Sequence, residues 1–110
     1  MVAANFSGIS EDLSTTHANY INFTAQQSFA GDTAVGAFTA AMGAAEITVH
    51  GAGDYIFSLY DTATSEAVLG IVQTAGTTIV AADPIAVIGL IHMSSADYTA
   101  GLASHTHFVA

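Results

Sequence analysis

A chain of 110 residues with no Lys or Arg, nine Asp or Glu and a formal charge of −9 has no permanent cation to set against phosphate, so nucleic acid and anionic membrane surfaces are excluded as partners. Its 52% hydrophobic and 8% charged residues compare with roughly a quarter charged in an average globular domain. A disordered acidic tail is therefore excluded as well, because there is apolar surface for one domain with a modest core.

Cys is absent, so no disulfide framework exists and the redox compartment is not legible. The opening Met1-Val2-Ala3-Ala4-Asn5-Phe6 has neither the basic nor the apolar region of a Sec signal peptide. Export is then expected by a leaderless route or as a mature fragment. The apolar run Ile85 to Ile91 falls far short of the roughly 20 residues that a membrane helix needs.

In chain order, residues 1–18 are polar and rich in turn formers and read as an N-terminal arm that docks on a core or a neighbour. Asn19 to Thr24 alternates aromatic or β-branched with polar residues, which predicts a strand. Asp32 is a good N-cap for a helix over Thr33 to Ala45, in which Ala34, Val35, Phe38, Ala41, Met42 and Ala45 recur at helical spacing. Gly36 and Gly43 each weaken that helix by about 1 kcal/mol relative to Ala, so packing of its Phe38/Met42 stripe must hold it.

From Glu46 the pattern changes to strands. Glu46 to His50, Asp54 to Asp61, Glu66 to Gln73 and Thr77 to Val80 are separated by Gly- and Thr-rich turns, with the aromatic Asp54–Asp61 segment as the central strand. Pro84 breaks the ladder. The near-continuous apolar run that follows predicts a strand buried on both faces. Ser94 to Tyr98 reads as a helical turn and His105 to Val109 as a short closing strand. The expected fold is mainly β: a single antiparallel β-sandwich or β-roll-like domain over 1–110, of five to seven strands, with one short helix at 32–45 and a strand-rich core at 46–110.

Three segments together, Gly53-Asp54-Tyr55-Ile56-Phe57, Thr77-Thr78-Ile79-Val80-Ala81-Ala82-Asp83 and Ile85-Ala86-Val87-Ile88-Gly89-Leu90, resemble the C-terminal region of repeats-in-toxin-type surface-layer and bluetail-like proteins. The Ala-rich helix before them fits the same pattern, and the resemblance spans about 60 of the 110 residues. It implies type I secretion read from the C-terminal end and a place at the cell surface or in its matrix. The Gly-Gly-x-Gly-x-Asp calcium repeats of that family are missing, so its calcium-filled β-roll does not carry over.

Few residues suit chemistry. His105 and His107 are two apart, so on a strand both point to one face, and with His50, His92 or carboxylates they offer imidazoles to zinc or copper. Neither zinc-protease histidine motif occurs. Calcium suits the oxygen ligands this chain has, with Asp54, Asp61 and Asp83 as candidates. No cofactor is implied. A Gly-x-Ser-x-Gly elbow, a carboxylate pair in a motif suited to acid/base work and a phosphate loop are all missing, so an enzyme is not expected. Asn5-Phe6-Ser7 and Asn22-Phe23-Thr24 match the glycosylation sequon.

The reading that accounts for most of these features is an extracellular structural subunit that associates with copies of itself into a fibre, sheath or surface layer. With no Lys and one Pro, its strand edges lack the usual protection against pairing. The alternatives are a monomeric adhesin or ligand-binding module of a larger secreted protein, whose aromatics Tyr20, Phe23, Tyr55, Phe57 and Tyr60 alternate mostly into the core, and a virion capsid or tail decoration.

Overall fold

The structure, a computed structural model, describes residues 3–28 and 33–100. In chain order these form β1 (Ala3–Phe6), β2 (Glu11–Asp12), β3 (Tyr20–Gln27), α1 (Ala34–Met42), β4 (Ile47–Thr48), β5 (Gly53–Asp61), β6 (Glu66–Thr74), β7 (Thr78–Ile79), β8 (Ile85–His92) and α2 (Ser95–Ala100). The fold is mainly β, as expected. One sheet has five strands in the order β1-β3-β5-β6-β8 and the other three in the order β2-β4-β7.

Pairing is mixed rather than purely antiparallel. β5–β6, β6–β8 and β4–β7 are antiparallel, whereas β1–β3, β2–β4 and β3–β5 are parallel. Connection length explains the difference. The short turn at 62–65 can only reverse the chain, but α1 and β4 between β3 and β5 form a crossover long enough to return it in the same direction. The N-terminal arm is likewise part of the fold. β1 pairs along β3, and Phe6 and Leu13 are buried in the core, two apolar anchors in an otherwise polar stretch.

Helix α1 is shorter than its periodicity suggests and is capped one residue later than expected. The Thr33 hydroxyl accepts the Gly36 N–H at 3.1 Å, with Thr33 in extended conformation; both Thr and Asp are effective caps, and Asp32 lies outside the described residues. Gly43 ends the helix at φ 56°, a left-handed turn open to glycine. The Phe38/Met42 stripe is core contact, as its spacing implies, with both side chains 1% exposed.

The main core lies between one face of the large sheet, α1 and the small sheet. Its centre is four phenylalanines, with Phe6–Phe23, Phe38–Phe57 and Phe23–Phe57 ring centroids 4.9, 5.0 and 6.0 Å apart, spacings at which aromatic pairs attract beyond their area burial. Ile21, Ile47, Val49, Leu59, Val72 and Ile79 surround them. The opposite face of the large sheet carries Tyr60 and Ala67, which pack with Tyr98 of α2.

Where β3 passes β5 the ladder splits. Asn22 is opposite Ser58, but the next pair is Gln26 opposite Tyr60, so β3 runs two residues longer over the same span. The Tyr98 hydroxyl fills the opening, 2.6 Å from the Phe23 carbonyl oxygen and 3.0 Å from that of Ser58. A hydroxyl brought to a buried carbonyl keeps that acceptor hydrogen-bonded away from water.

The apolar run 85–92 is not buried on both faces. Among the described residues β8 is the last strand of its sheet, and Val87, Ile88 and Leu90 are 45%, 55% and 57% exposed. A continuous apolar run marks a strand but not its position in the sheet. The closing strand expected at His105 to Val109 lies outside the described residues.

Candidate functional site

Two surfaces qualify, the free edge of β8 and a neutral polar pocket on the α2 side of the large sheet. Strand β8 is delivered by the turn that carries Asp83. The Asp83 carboxylate accepts the Val80 N–H at 3.0 Å, and the Pro84 carbonyl accepts the Gln73 N–H at 3.0 Å. Cross-strand partners set its faces. Ile85, Val87 and Leu90 are opposite Val72, Gly70 and Val68 and so share the core side, where Ile85 packs against the main cluster while Val87 and Leu90 project past it. Ile91, opposite Ala67, packs against the Tyr60–Tyr98 cluster on the other face. Ile88 has no partner on β6, because the register jumps from Gly89 opposite Leu69 to Val87 opposite Gly70, which makes it a bulge. Among the described residues no strand lies beyond β8, so its outward N–H and C=O groups face away from the sheet. From Ile85 to His92 there is no carboxylate, an uncharged strip on a chain of charge −9.

The pocket has a volume of about 300 Å³ and is lined by Asn5, Asn22, Thr24, Gln26, Tyr98 and Thr99, ending at Ala100. Every polar lining group is neutral. The Asn22 amide donates to Asn5 Oδ1 at 3.1 Å, and the Ser58 hydroxyl donates to Asn22 Oδ1 at 3.0 Å. Gln26 donates to the Thr99 hydroxyl at 2.8 Å and accepts from Ser95. Beneath them the Tyr20 hydroxyl lies 2.6 Å from that of Ser58. Burial raises the pKa of Tyr20 and Tyr98, with the Ser58 hydrogen bond opposing in both and the neighbouring Tyr20 adding to the rise at Tyr98. Both phenols thus stay neutral at any physiological pH. Its polar lining consists of amides and hydroxyls, which donate and accept hydrogen bonds without carrying charge.

The carboxylates proposed for calcium do not converge. Asp54 and Asp61 sit at opposite ends of β5, about 23 Å apart at strand rise. Asp61 accepts the Ala63 N–H at 2.9 Å, a turn bond like that of Asp83. No group of three His, Cys, Asp or Glu comes together among the described residues. His105 and His107 lie outside them. His92 is exposed on β8, opposite Glu66, while His50 meets His17, from a turn 33 residues earlier, with ring centroids 4.8 Å apart. The five aromatics Tyr20, Phe23, Tyr55, Phe57 and Tyr60 are all buried, as alternation implies, so none forms an open binding platform. The pocket itself was not legible: Asn22 and Gln26 look like ordinary strand polar positions, and their partners come from β1 and α2. No described helix is long and apolar enough to cross a membrane.

No protein-family model matches the chain, and no characterised protein or solved structure is significantly similar to it.

Proposed function

We propose that this chain is a structural, self-assembling subunit of an extracellular fibre, sheath or surface layer, joined copy to copy through the free edge of β8. The supporting observation is that edge: eight strand residues, three large apolar side chains about half exposed and no charge of either sign. A second copy is the occupant the charge pattern favours. Carboxylates elsewhere on the chain repel those of a like copy, but β8 and β1 carry none, so a copy can approach along these two edges, while a cationic partner gains nothing at an uncharged edge. The opposite end of the sheet, β1, is also an edge among the described residues. Joining β8 of one copy to β1 of the next repeats head to tail and gives a filament wherever the rotation does not close into a ring, whereas β8 against β8 about a twofold axis stops at a dimer. Absence of Lys and Arg also removes every trypsin-type cleavage site, which suits a place outside the cytoplasm.

Light scattering and electron microscopy of the wild type and of Ile88→Lys and Leu90→Lys test this. The wild type is expected to grow into regular polymers and both variants to remain monomeric, because a lysine on the edge leaves a desolvated charge at the junction. A wild type that stays monomeric or stops at a dimer overturns the reading.

The neutral pocket favours a second reading, a module that binds a neutral polyhydroxylated ligand such as a glycan. A glycan array answered by the wild type and lost in Asn22→Ala and Gln26→Ala would establish it; a silent array removes it.

A further inference from the structure

His17 and His50 come from separate segments that the small sheet brings together. β2 and β4 run parallel, with Glu11 opposite Ile47 and Asp12 opposite Thr48, and the ladder continues through the Leu13 N–H to the Thr48 carbonyl at 2.7 Å. Both chains therefore leave the sheet at the same end. The turn after β2 is closed by the Ser14 N–H on the Asp12 carboxylate at 2.9 Å and by the Thr16 hydroxyl on the Leu13 carbonyl at 2.9 Å. It ends on His17 at φ 53°, a left-handed conformation that histidine adopts more readily than most side chains. This conformation brings the His17 ring to 4.8 Å from that of His50, at 45°. His50 is backed on another side by the Tyr55 ring at 5.9 Å, and Tyr55 is itself fixed by its hydroxyl bond to the Gly51 carbonyl at 2.6 Å. Both imidazoles are exposed.

We propose that His17 and His50 form a two-imidazole site for a divalent transition metal, with water in the remaining positions. A metal bound about 2.1 Å from one nitrogen of each ring places the two ring centroids about 5 Å apart, the spacing already present. Imidazole selects copper, nickel and zinc over calcium and magnesium, and copper(II) binds tightest in the divalent series. No third His, Cys, Asp or Glu joins them among the described residues, so the site is open to solvent. The field of a chain of charge −9 with no Lys or Arg draws cations toward it.

Calorimetric titration of the full chain with copper(II) at pH 7.5, alongside electron paramagnetic resonance of the complex, tests the assignment. The wild type is expected to show two imidazole nitrogens on copper. His17→Ala and His50→Ala are each expected to show one and to bind at least ten-fold more weakly, while His92→Ala and the His105→Ala/His107→Ala double variant leave the two-nitrogen signal intact. Circular dichroism keeps a folding defect apart from a binding defect, and His50→Gln, which keeps a polar side chain beside Tyr55, must repeat the loss. A wild type with fewer than two coordinated imidazoles, unchanged affinity in His17→Ala or His50→Ala, or loss only in the terminal double variant, overturns the proposal.

Discussion

Gly70 of β6 lies directly beneath the ring of Phe57 on β5. The two are cross-strand partners, and a methyl group on Gly70 would stand 2.6 Å from Phe57 Cζ and 3.0 Å from the Ala86 carbonyl oxygen. The ring has no room to retreat, since Phe38 and Phe23 hold it at 5.0 and 6.0 Å. Gly70→Ala is therefore expected to destabilise the fold by about 1–3 kcal/mol through overpacking. Urea denaturation measures it. Phe57→Leu in the same chain opens the space, so the double variant should lose less than the sum of the single losses.

Tyr98 is the second structural dependency. Tyr98→Phe removes the hydroxyl that lies 2.6 and 3.0 Å from the Phe23 and Ser58 carbonyls where the β3–β5 ladder splits, at an expected cost of about 1–3 kcal/mol for a lost buried hydrogen bond. Burial also sets the direction of an alkaline effect. It raises the Tyr20 and Tyr98 pKa values above the usual one, so below about pH 10 both folded and unfolded chains keep these phenols protonated. Above it the unfolded chain loses its protons first, and stability falls as pH rises through the folded values. Denaturation midpoints between pH 8 and 12 should decline in the wild type and decline less steeply in Tyr98→Phe.

Local pattern carried much of this fold and little of its topology. The aromatic and β-branched content of Asp54–Asp61 identified the central strand because neighbours on both sides bury it, and the Phe38/Met42 spacing identified a helix face because that face meets the core. Parallel pairing of β1, β3 and β5 left no local trace, since it depends on where a crossover lands. The apolar run of β8 was visible, but its exposure was not: burial on both faces and abandonment at an edge produce the same sequence. The pocket was hidden for a related reason. Asn5, Asn22, Gln26 and Thr99 lie on three elements, and α2 announces itself by one buried residue, Tyr98, too few for a period.

Asp83 is a turn residue in this structure, and its variant should behave as one. Asp83→Ala removes the acceptor of the Val80 N–H and is expected to cost about 1 kcal/mol, read by thermal or urea denaturation. Asp54 and Asp61 stand at opposite ends of β5, so neither can share an ion with the other. Calcium should then shift the melting temperature of the wild type and of Asp83→Ala by the same amount. A shift present only in the wild type would mean that the Asp83 turn holds the ion.

Assembly through an uncharged edge between acidic bodies should respond to salt and acid in one direction. Each copy carries nine carboxylates and no Lys or Arg, so at pH 7 the long-range force between copies is repulsive while the β8 contact is apolar and indifferent to charge. Raising ionic strength from about 0.01 to 0.15 M shortens the screening length from about 30 to about 8 Å, which removes repulsion between bodies without touching the strip. Lowering the pH toward the sequence pI of about 4.3 shrinks the net charge of each copy, with the same result. Asp12 is among the last to yield, because hydrogen bonds from the Ser14 side chain and backbone lower its pKa. The concentration at which scattering rises should fall several-fold along both axes in the wild type. Leu90→Lys should stay dispersed at every salt and pH, since screening can remove repulsion but cannot restore an apolar junction. If salt and acid drive Leu90→Lys together as readily as the wild type, the aggregates form by general loss of charge and the β8 edge has no part in them.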